Sequence, residues 1–299
     1  MRRGRGRLVG AAKAPFRLVR DTFHRVIAHN ATGAASQFAY NAVLATVPFL
    51  FVLVSAFGIA GSAGTYDRLI GTFGNAIPPA LQELLRSSVK SATRNSNNAA
   101  IFLAIGVVAA IYVTSNVIST LMSALDKAYG VPSRPWFRGK MVAIGFAAAT
   151  SVLVAVTTLA LVVGPRLIDA VADYVGLSGT ARDLAKDSVF PIGVAALVAF
   201  TLLLYRYGTN GLRPRLPTIL PGALVAVGGW LGMTQAFRAY VDHFSYGTVY
   251  GSLATVVVYL LFLYLTGLML LIGAEVNGEL ASRRAARRAG QEPLPPAAA

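Results

Sequence analysis

The sequence predicts an all-α polytopic membrane protein with six transmembrane helices, short amphipathic interfacial helices and both termini in the cytoplasm. Of its 299 residues, 55% are hydrophobic and 13% are charged, and the mean hydropathy is +0.60. This composition is far more apolar than that of an average soluble domain. Residues 249–273 contain no charged side chain, and a helix of about 20 apolar residues is enough to cross the ~30 Å hydrocarbon core of a bilayer.

Six apolar runs have the length of a membrane-spanning helix. They lie near residues 34–60, 99–122, 141–164, 188–206, 218–240 and 249–273. Together they define a transmembrane domain over residues 33–280. A basic leader precedes this domain at residues 1–32, and a tail that is first basic and then rich in Pro and Ala follows at 281–299. We expect the tail to be disordered, because it has too few apolar residues to bury.

The distribution of basic residues predicts how these spans are oriented. An even number of spans places both termini on one side of the membrane. Of the 27 Lys and Arg residues, 19 lie in the leader, the tail and the connections at 123–140 and 206–215. Because segments rich in Lys and Arg stay in the cytoplasm, we expect both termini there. The same basic surface is expected to contact anionic lipid headgroups rather than nucleic acid.

The leader contains an amphipathic helix. Phe16, Val19, Phe23, Val26 and Ile27 recur at helical spacing, with charged side chains between them. A helix of this kind can lie in the headgroup plane with its apolar face toward the lipid. Short helices of the same type are predicted in the two long outer connections.

Several stretches of the chain resemble one family of membrane proteins. They are AYNAVLATVPFL at 39–50, NVISTLMSALDKAYGVPSRPWFRGK at 116–140, LLLYRYGTN at 202–210, and the combination of Tyr250-Gly251-Ser252 with Gly273-Ala274-Glu275. Together they are similar to the YihY/BrkB family of bacterial inner-membrane proteins. The resemblance implies six membrane-spanning helices and no established chemistry, although the family has been labelled a ribonuclease.

The residues form no recognisable catalytic or metal-binding motif. The chain has no cysteine and three histidines, two in the leader and one on the opposite side of the membrane. Metal-assisted phosphoryl chemistry needs several His or carboxylate ligands that converge on one site, and no suitably spaced pair occurs inside a predicted span. We therefore expect a protein without enzymatic activity, and we assign no metal or cofactor.

Polar side chains at membrane depth are the candidate functional residues, because burying them in lipid is costly. They form stripes in three spans: Gln37, Asn41 and Pro48 with Tyr40 beside them in the first, Tyr112 and Asn116 in the second, and Ser252, Thr255 and Tyr259 in the sixth. Pro48 cannot donate a hydrogen bond to the carbonyl of Leu44, which frees an acceptor and predicts a bend in the first span.

These stripes allow two interpretations. They could meet around a polar cavity and form a substrate path, or they could be contacts that hold helices together, as hydroxyl and amide side chains do in membranes. Gly228 and Gly232, four residues apart in the fifth span, predict close helix packing of the second kind.

Two pairs of charged residues lie near the ends of the last two spans. Arg238 and Asp242 are predicted at the outer end of the fifth span, and Glu275 and Glu279 at the cytoplasmic end of the sixth. Each pair is spaced i,i+4 and therefore shares one helix face. Either pair could gate a path, but the positions favour anchoring, with the charges in contact with water or headgroups.

Two classes of function remain. The polar stripes and the proline in the first span favour a transporter or lipid-handling protein, which moves an amphiphile or small solute through or along a polar bundle interior. The alternative is a membrane scaffold that transports nothing and supports envelope assembly by holding partners. The two classes differ in whether the stripes line a cavity or fill helix contacts.

Overall fold

The computed structural model describes residues 3–60, 96–150, 152–153, 189–243 and 251–289. Seven helices account for nearly all of these residues, and no strand occurs among them. We number them α1 (Arg3–Ala28), α2 (Ala31–Ala60), α3 (Ser96–Ala128), α4 (136–150), α5 (Val189–Gly208), α6 (Leu216–His243) and α7 (Gly251–Ala289). The predicted all-α class is confirmed for this part of the chain.

Four of the helices are long and apolar enough to cross a membrane. The spanning stretches are Ala104–Ala128 in α3, Pro191–Gly208 in α5, Leu216–Tyr240 in α6 and Val256–Ala289 in α7. They overlap the second, fourth, fifth and sixth predicted spans. The described residues thus support a multi-pass membrane protein, and the total of six spans stays a prediction.

The other two predicted spans are described in part. Helix α2 covers the first span and is not interrupted at Pro48, the position where a bend was predicted. Helix α4 begins at residue 136, ahead of the predicted third span, and the part of that span from residue 154 lies outside the described residues. The long connections predicted to carry interfacial helices, 61–95 and 165–187, lie outside them as well.

The end of α1 and the last turns of α7 meet at one end of the helix bundle, which we call the terminal end. Arg25 of α1 donates from Nη2 to the carbonyl of Ala128, the last residue of α3 (2.5 Å), and its Nε pairs with Glu275 of α7 (3.1 Å). Asn277 of α7 donates to the carbonyl of Ile219, near the start of α6 (2.9 Å). Helix α3 therefore ends, and α6 begins, at the level where α1 lies.

Helix α7 is the central helix of the bundle. It packs against α1, α2, α3 and α6. The surrounding core is rich in alanine: Ala35, Ala223, Ala226 and Ala274 are each at most 1% exposed. Lipid tails are as apolar as a protein core, so helices in membranes associate through close packing, which small side chains permit.

The tightest helix crossing involves two glycines. A Cβ atom at Gly222 of α6 would overlap the carbonyl oxygen of Gly273 of α7, and one at Gly273 would overlap that of Gly222. The prediction of close packing at Gly228 and Gly232 is wrong, since both are exposed on α6. Small residues occur along much of α6, so their spacing alone does not show which of them contacts another helix. In the structure, it is Gly222 that faces α7.

Helix α1 carries its apolar stripe on the outside. Phe16, Val19, Phe23 and Ile27 are each more than 60% exposed, whereas Val26 is buried against the bundle. An exposed apolar stripe beside a membrane-spanning bundle is typical of a helix that lies at the membrane interface.

A sharp turn at Asn30 connects α1 to α2. Asn30 has a φ of 51°, a left-handed conformation that Asn adopts more readily than most residues. Its Oδ1 accepts a hydrogen bond from the backbone N–H of Gly33 (3.2 Å), which satisfies one of the free donors in the first turn of α2. The turn therefore sets the direction in which α1 leaves the bundle.

Helix α7 continues beyond the predicted domain boundary at residue 280. Residues 281–289 are helical, so the expectation of disorder from residue 281 is wrong for this stretch. Arg283 explains the extension: its Nε bonds Glu279 Oε1 one turn earlier (2.6 Å), and its Nη2 bonds Asp21 Oδ2 of α1 (2.7 Å).

Replacing Gly222 with valine should destabilise the protein, because the new side chain would force α6 and α7 apart. Overpacking of this kind costs about 1–3 kcal/mol. Gly228→Val is the matched control on the same helix, since a Cβ atom there meets no neighbour within 4 Å. Thermal unfolding in detergent measures both variants, and equal melting temperatures would contradict the close crossing.

Candidate functional site

Polar side chains from α2, α3 and α4 form one continuous face, which we call the polar face. Asn41 of α2 donates from Nδ2 to Thr120 Oγ1 of α3 (3.2 Å). One turn earlier on α3, Asn116 Oδ1 accepts a hydrogen bond from Lys140 Nζ of α4 (2.6 Å). Lys140 also lies over the ring of Tyr112, 4.4 Å from its centroid. The polar face consists of these five residues.

Two of the predicted stripes thus meet at Thr120, a residue that the sequence did not single out. Thr120 Oγ1 donates to the carbonyl of Asn116 (3.0 Å) and therefore presents its oxygen to the amide of Asn41. Spacing along the sequence could not reveal this contact. The residue of α3 that faces Asn41 depends on how α2 and α3 are rotated and offset against each other.

The side chain of Lys140 places its ammonium group beside the middle part of α3. Its partner Asn116 lies 12 residues before the end of α3, which is about 18 Å along the helix. Among the ion pairs of the described residues, none includes Lys140. The amide oxygen of Asn116 and the ring of Tyr112 stabilise the ammonium group instead. A charge at this depth without a carboxylate partner marks a candidate functional site.

The polar face reaches the outside of the bundle at one edge, since Thr120 is buried, its neighbours are half-buried and Tyr112 is exposed. Tyr112 is 58% exposed, Tyr40 is 61% exposed, and Gln37 is exposed as well. Leu44, whose carbonyl loses its helical donor to Pro48, is 46% exposed. Three of the predicted path residues, Gln37, Tyr40 and Tyr112, are therefore exposed on the surface of the bundle, at the edge of the polar face.

The third predicted stripe joins α2 at a different place. Tyr259 OH of α7 lies 2.8 Å from Thr46 Oγ1, which itself donates to a carbonyl one turn earlier on α2. Thr46 lies five residues beyond Asn41 and therefore about 140° further around the helix. Among the described side chains, the stripe of α2 therefore contacts the stripe of α3 at one place and the stripe of α7 at another. For Ser252 and Thr255, only the backbone of α7 is described.

A buried cluster of charges lies at the terminal end and contains both glutamates of the predicted pair. Glu275 is 2% exposed and Glu279 is 7% exposed. Glu275 accepts a hydrogen bond from Arg25 Nε (3.1 Å), and its Oε1 lies 2.7 Å from His29 Nδ1. The expectation that both glutamates reach water or headgroups is wrong, because α1 covers this end of α7. Their role in gating stays a prediction.

The cluster continues along α7 through Glu279. Arg25 Nη1 lies 3.8 Å from Glu279 Oε2, and Arg283 bridges Glu279 to Asp21 of α1. Removing one partner of a buried ion pair leaves the other charge without compensation, which is strongly destabilising. The cluster therefore holds α1 against the last turns of the central helix.

A buried asparagine on α7 bonds the backbone of α6 on both sides of a proline. Pro221 interrupts the hydrogen-bond pattern in the first turns of α6, because it has no backbone N–H. Asn277, which is 1% exposed, accepts a hydrogen bond from the Gly222 N–H (2.8 Å) and donates to the Ile219 carbonyl (2.9 Å). The amide thus satisfies backbone groups on both sides of the proline. The only sequence signal for this contact was a proline inside an apolar run.

The second predicted charge pair is described in part. Arg238 is exposed near the end of α6, and for Asp242 only the backbone is described. Their proposed role in gating or anchoring stays a prediction.

The comparison with protein families settles what kind of protein carries these features. The family model for virulence factor BrkB matches residues 22–297, which is most of the chain. The protein belongs to the BrkB family. The resemblance found in the sequence is thereby confirmed, and the spanning helices agree with it.

Relatives in several bacteria are similar to most of this chain. The ribonuclease-like protein YfkH of Bacillus subtilis is 26% identical over 270 residues, or 89% of this chain and 96% of that protein. A UPF0761 membrane protein of Photobacterium profundum is 25% identical, over 88% of this chain and 80% of its own length. One from Pseudomonas aeruginosa is 27% identical over 89% of this chain, which spans only 63% of that relative. No solved structure matches the chain.

These comparisons identify an integral membrane protein of a family with no established enzymatic activity. The ribonuclease-like name belongs to one relative, while others carry the name of a membrane protein. In the part of the chain that the structure describes, no group of three His, Cys, Asp or Glu residues is placed to hold a metal ion.

Glu275→Gln should strongly destabilise the protein, because Arg25 and His29 would lose their buried carboxylate. Breaking a buried ion pair from one side typically costs about 3–5 kcal/mol. Arg287→Gln, at an exposed position further along α7, is the control and should change stability by no more than about 0.5 kcal/mol. Melting temperatures in detergent test both, and an unchanged value for Glu275→Gln would contradict a structural role for the cluster.

Proposed function

We propose that this BrkB-family protein is an inner-membrane transporter or lipid-handling protein that moves an amphiphile along the polar face. The observation that carries the proposal is Lys140, a cation that reaches Asn116 about 18 Å from the end of α3. Its only stabilising contacts among the described residues are the amide of Asn116 and the ring of Tyr112. Such a cation can attract an anionic group to this depth.

An amphiphile suits this face better than a small solute does. A small solute needs a path enclosed by protein, whereas the polar face reaches the outside of the bundle at one edge, where lipid would lie. Exposed apolar side chains flank it: Val108, one turn from Tyr112, is 68% exposed, and Leu44 is 46% exposed. In a molecule with an anionic head and an apolar chain, the head would contact Lys140 and the chain would contact the exposed apolar side chains.

The residues of the polar face would lower the barrier to moving such a head across the bilayer. A charged group in pure hydrocarbon is very costly, because nothing replaces its water. Lys140 would pair with the head, and the amides of Asn41 and Asn116 would replace part of its hydration. The chain of the amphiphile would remain in the lipid throughout.

A membrane scaffold is the second candidate. The hydrogen bonds from Asn41 to Thr120 and between Thr46 and Tyr259 favour it, since both fill helix contacts. Contacts of this kind stabilise helix association by about 0.6–2 kcal/mol each. The scaffold interpretation leaves the unpaired charge of Lys140 without a role.

Transport should depend on Lys140. In phosphatidylcholine vesicles with a trace of fluorescent phosphatidylglycerol, the wild-type protein should accelerate exchange between leaflets, measured by the accessibility of the label to dithionite. Lys140→Gln should slow this exchange by about tenfold or more, because a hydrogen bond to a charged group contributes about 1.5–3 kcal/mol. Asn41→Leu should also slow exchange, and it should lower the melting temperature only slightly, because it removes one hydrogen bond, to Thr120.

Thr46→Val is the matched control, since it also removes one polar group of α2 but lies on another face. It should lower the melting temperature slightly and leave the rate of exchange unchanged. Absence of exchange with the wild-type protein would contradict the lipid-handling function. Loss of stability in Asn41→Leu without any change in exchange would favour the scaffold.

The terminal end should lie in the cytoplasm. This expectation rests on the excess of Lys and Arg in the segments that meet there. Reporter fusions after residue 290 and within the connection at 165–187 test it. An active periplasmic phosphatase fused after residue 290 would contradict the predicted orientation.

A further inference from the structure

A separate groove lies at the terminal end, on another face of α4 than Lys140. It has a volume of about 370 Å³ and lies between the start of α4 and the turn that follows α5. Its lining includes Arg134, Phe137, Arg138, Met141, Val142 and Asn210. Arg138 is two residues from Lys140 and therefore about 200° around the helix from it, so the groove and the polar face are distinct.

Arg134 forms a rigid wall of the groove. Its Nη1 donates to the carbonyl of Gly208 (2.6 Å), and its Nη2 donates to the carbonyls of Tyr207 and Thr209 (both 2.8 Å). The last carbonyls of a helix have no partner within the helix, so Arg134 caps α5. Its hydrogen bonds are thereby engaged within the protein.

The charge of Arg134 is also offset from within the protein. Asp126, which is 2% exposed, interacts electrostatically with Arg134 and accepts a hydrogen bond from the Asn210 N–H (2.7 Å). The Asn210 side chain donates to the carbonyl of Pro132 (2.8 Å). The turn after α5 is thus tied to α3 and to the start of α4, which gives the groove a defined shape.

Arg138 is the cation of the groove that remains available. It is exposed, and no hydrogen bond or ion pair joins it to another described residue. Beside it, Phe137 is 69% exposed and Met141 is 56% exposed, and the neighbouring Trp136 is 79% exposed. An available guanidinium next to exposed apolar side chains suits a ligand that is both anionic and apolar. The exposed aromatic residues are typical of a membrane interface.

We propose that this groove binds an anionic phospholipid, with its phosphate on Arg138 and an acyl chain along Phe137 and Met141. Charge complementarity selects this occupant. Arg213 and Arg215 are exposed in the loop after α5 and add to the local positive potential, which favours a net negative headgroup over a zwitterionic one. The proposal concerns lipid binding and does not depend on transport at the polar face.

Trp136 provides the readout for a test. The protein is reconstituted in dioleoyl phosphatidylcholine vesicles that contain phosphatidylglycerol with brominated acyl chains, and quenching of tryptophan fluorescence is measured. The same measurement with brominated phosphatidylcholine gives the selectivity for the anionic lipid. Trp136→Phe identifies the part of the signal that comes from the groove, because the chain has only one other tryptophan, Trp230.

We expect quenching of Trp136 to show about fivefold selectivity for phosphatidylglycerol, the size of effect that one interfacial arginine supplies. Arg138→Gln should abolish most of this selectivity. Arg288→Gln, which removes an exposed arginine near the end of α7, should leave it unchanged. Retention of selectivity in Arg138→Gln, or an equal loss in Arg288→Gln, would overturn the proposal.

A free anion is distinguished from a lipid by the melting temperature in detergent. Dioleoyl phosphatidylglycerol should raise it for the wild-type protein and not for Arg138→Gln, whereas inorganic phosphate should leave it unchanged. Stabilisation by inorganic phosphate but not by the lipid would assign the groove to a soluble anion and overturn the proposal. Because both experiments measure binding, their outcome is separate from that of the leaflet-exchange assay.

Discussion

Glu275 is a carboxylate on the central helix with almost no access to water. Removing a carboxylate from water costs several kcal/mol, so the fold needs cations beside it. Arg25 supplies the cation, and His29 Nδ1 lies 2.7 Å from the same carboxylate; both residues belong to the leader. Helix α1 must therefore pack against α7, and the turn at Asn30 must direct it there. The arrangement of the whole terminal end depends on this one buried charge.

The all-α class and four of the predicted spans are confirmed, because the ability of a helix to cross a membrane depends on its length and composition, which can be read from the sequence. The contacts between helices could not be predicted in the same way. They depend on the rotation of each helix, and this is why Gly222 rather than Gly228 lies at the crossing of α6 and α7. The helix beyond residue 280 was missed for a related reason: the Asp21 carboxylate that stabilises Arg283 comes from the opposite end of the chain.

The candidate site shows the same limit. The sequence singled out Asn41 and Asn116, but their hydrogen-bond partners Thr120 and Lys140 emerged only from the fold. Lys140 was assigned to a loop because it is charged and precedes an apolar run, and nothing in the sequence shows that its side chain reaches back along α3. Glu275 lies at the end of a predicted span, and this position suggested that its carboxylate reaches water. The fold shows that α1 covers it.

The contact between Arg25 and Glu275 joins residues 250 positions apart. At a synthesis rate of about 5–20 residues per second, on the order of tens of seconds separate the emergence of the two side chains. During that interval Arg25 lacks Glu275 and Glu279, the carboxylates that it contacts in the complete bundle. The contact between α1 and α7 forms only after α7 has been made, so α1, which precedes the other described helices in the chain, reaches its final position late.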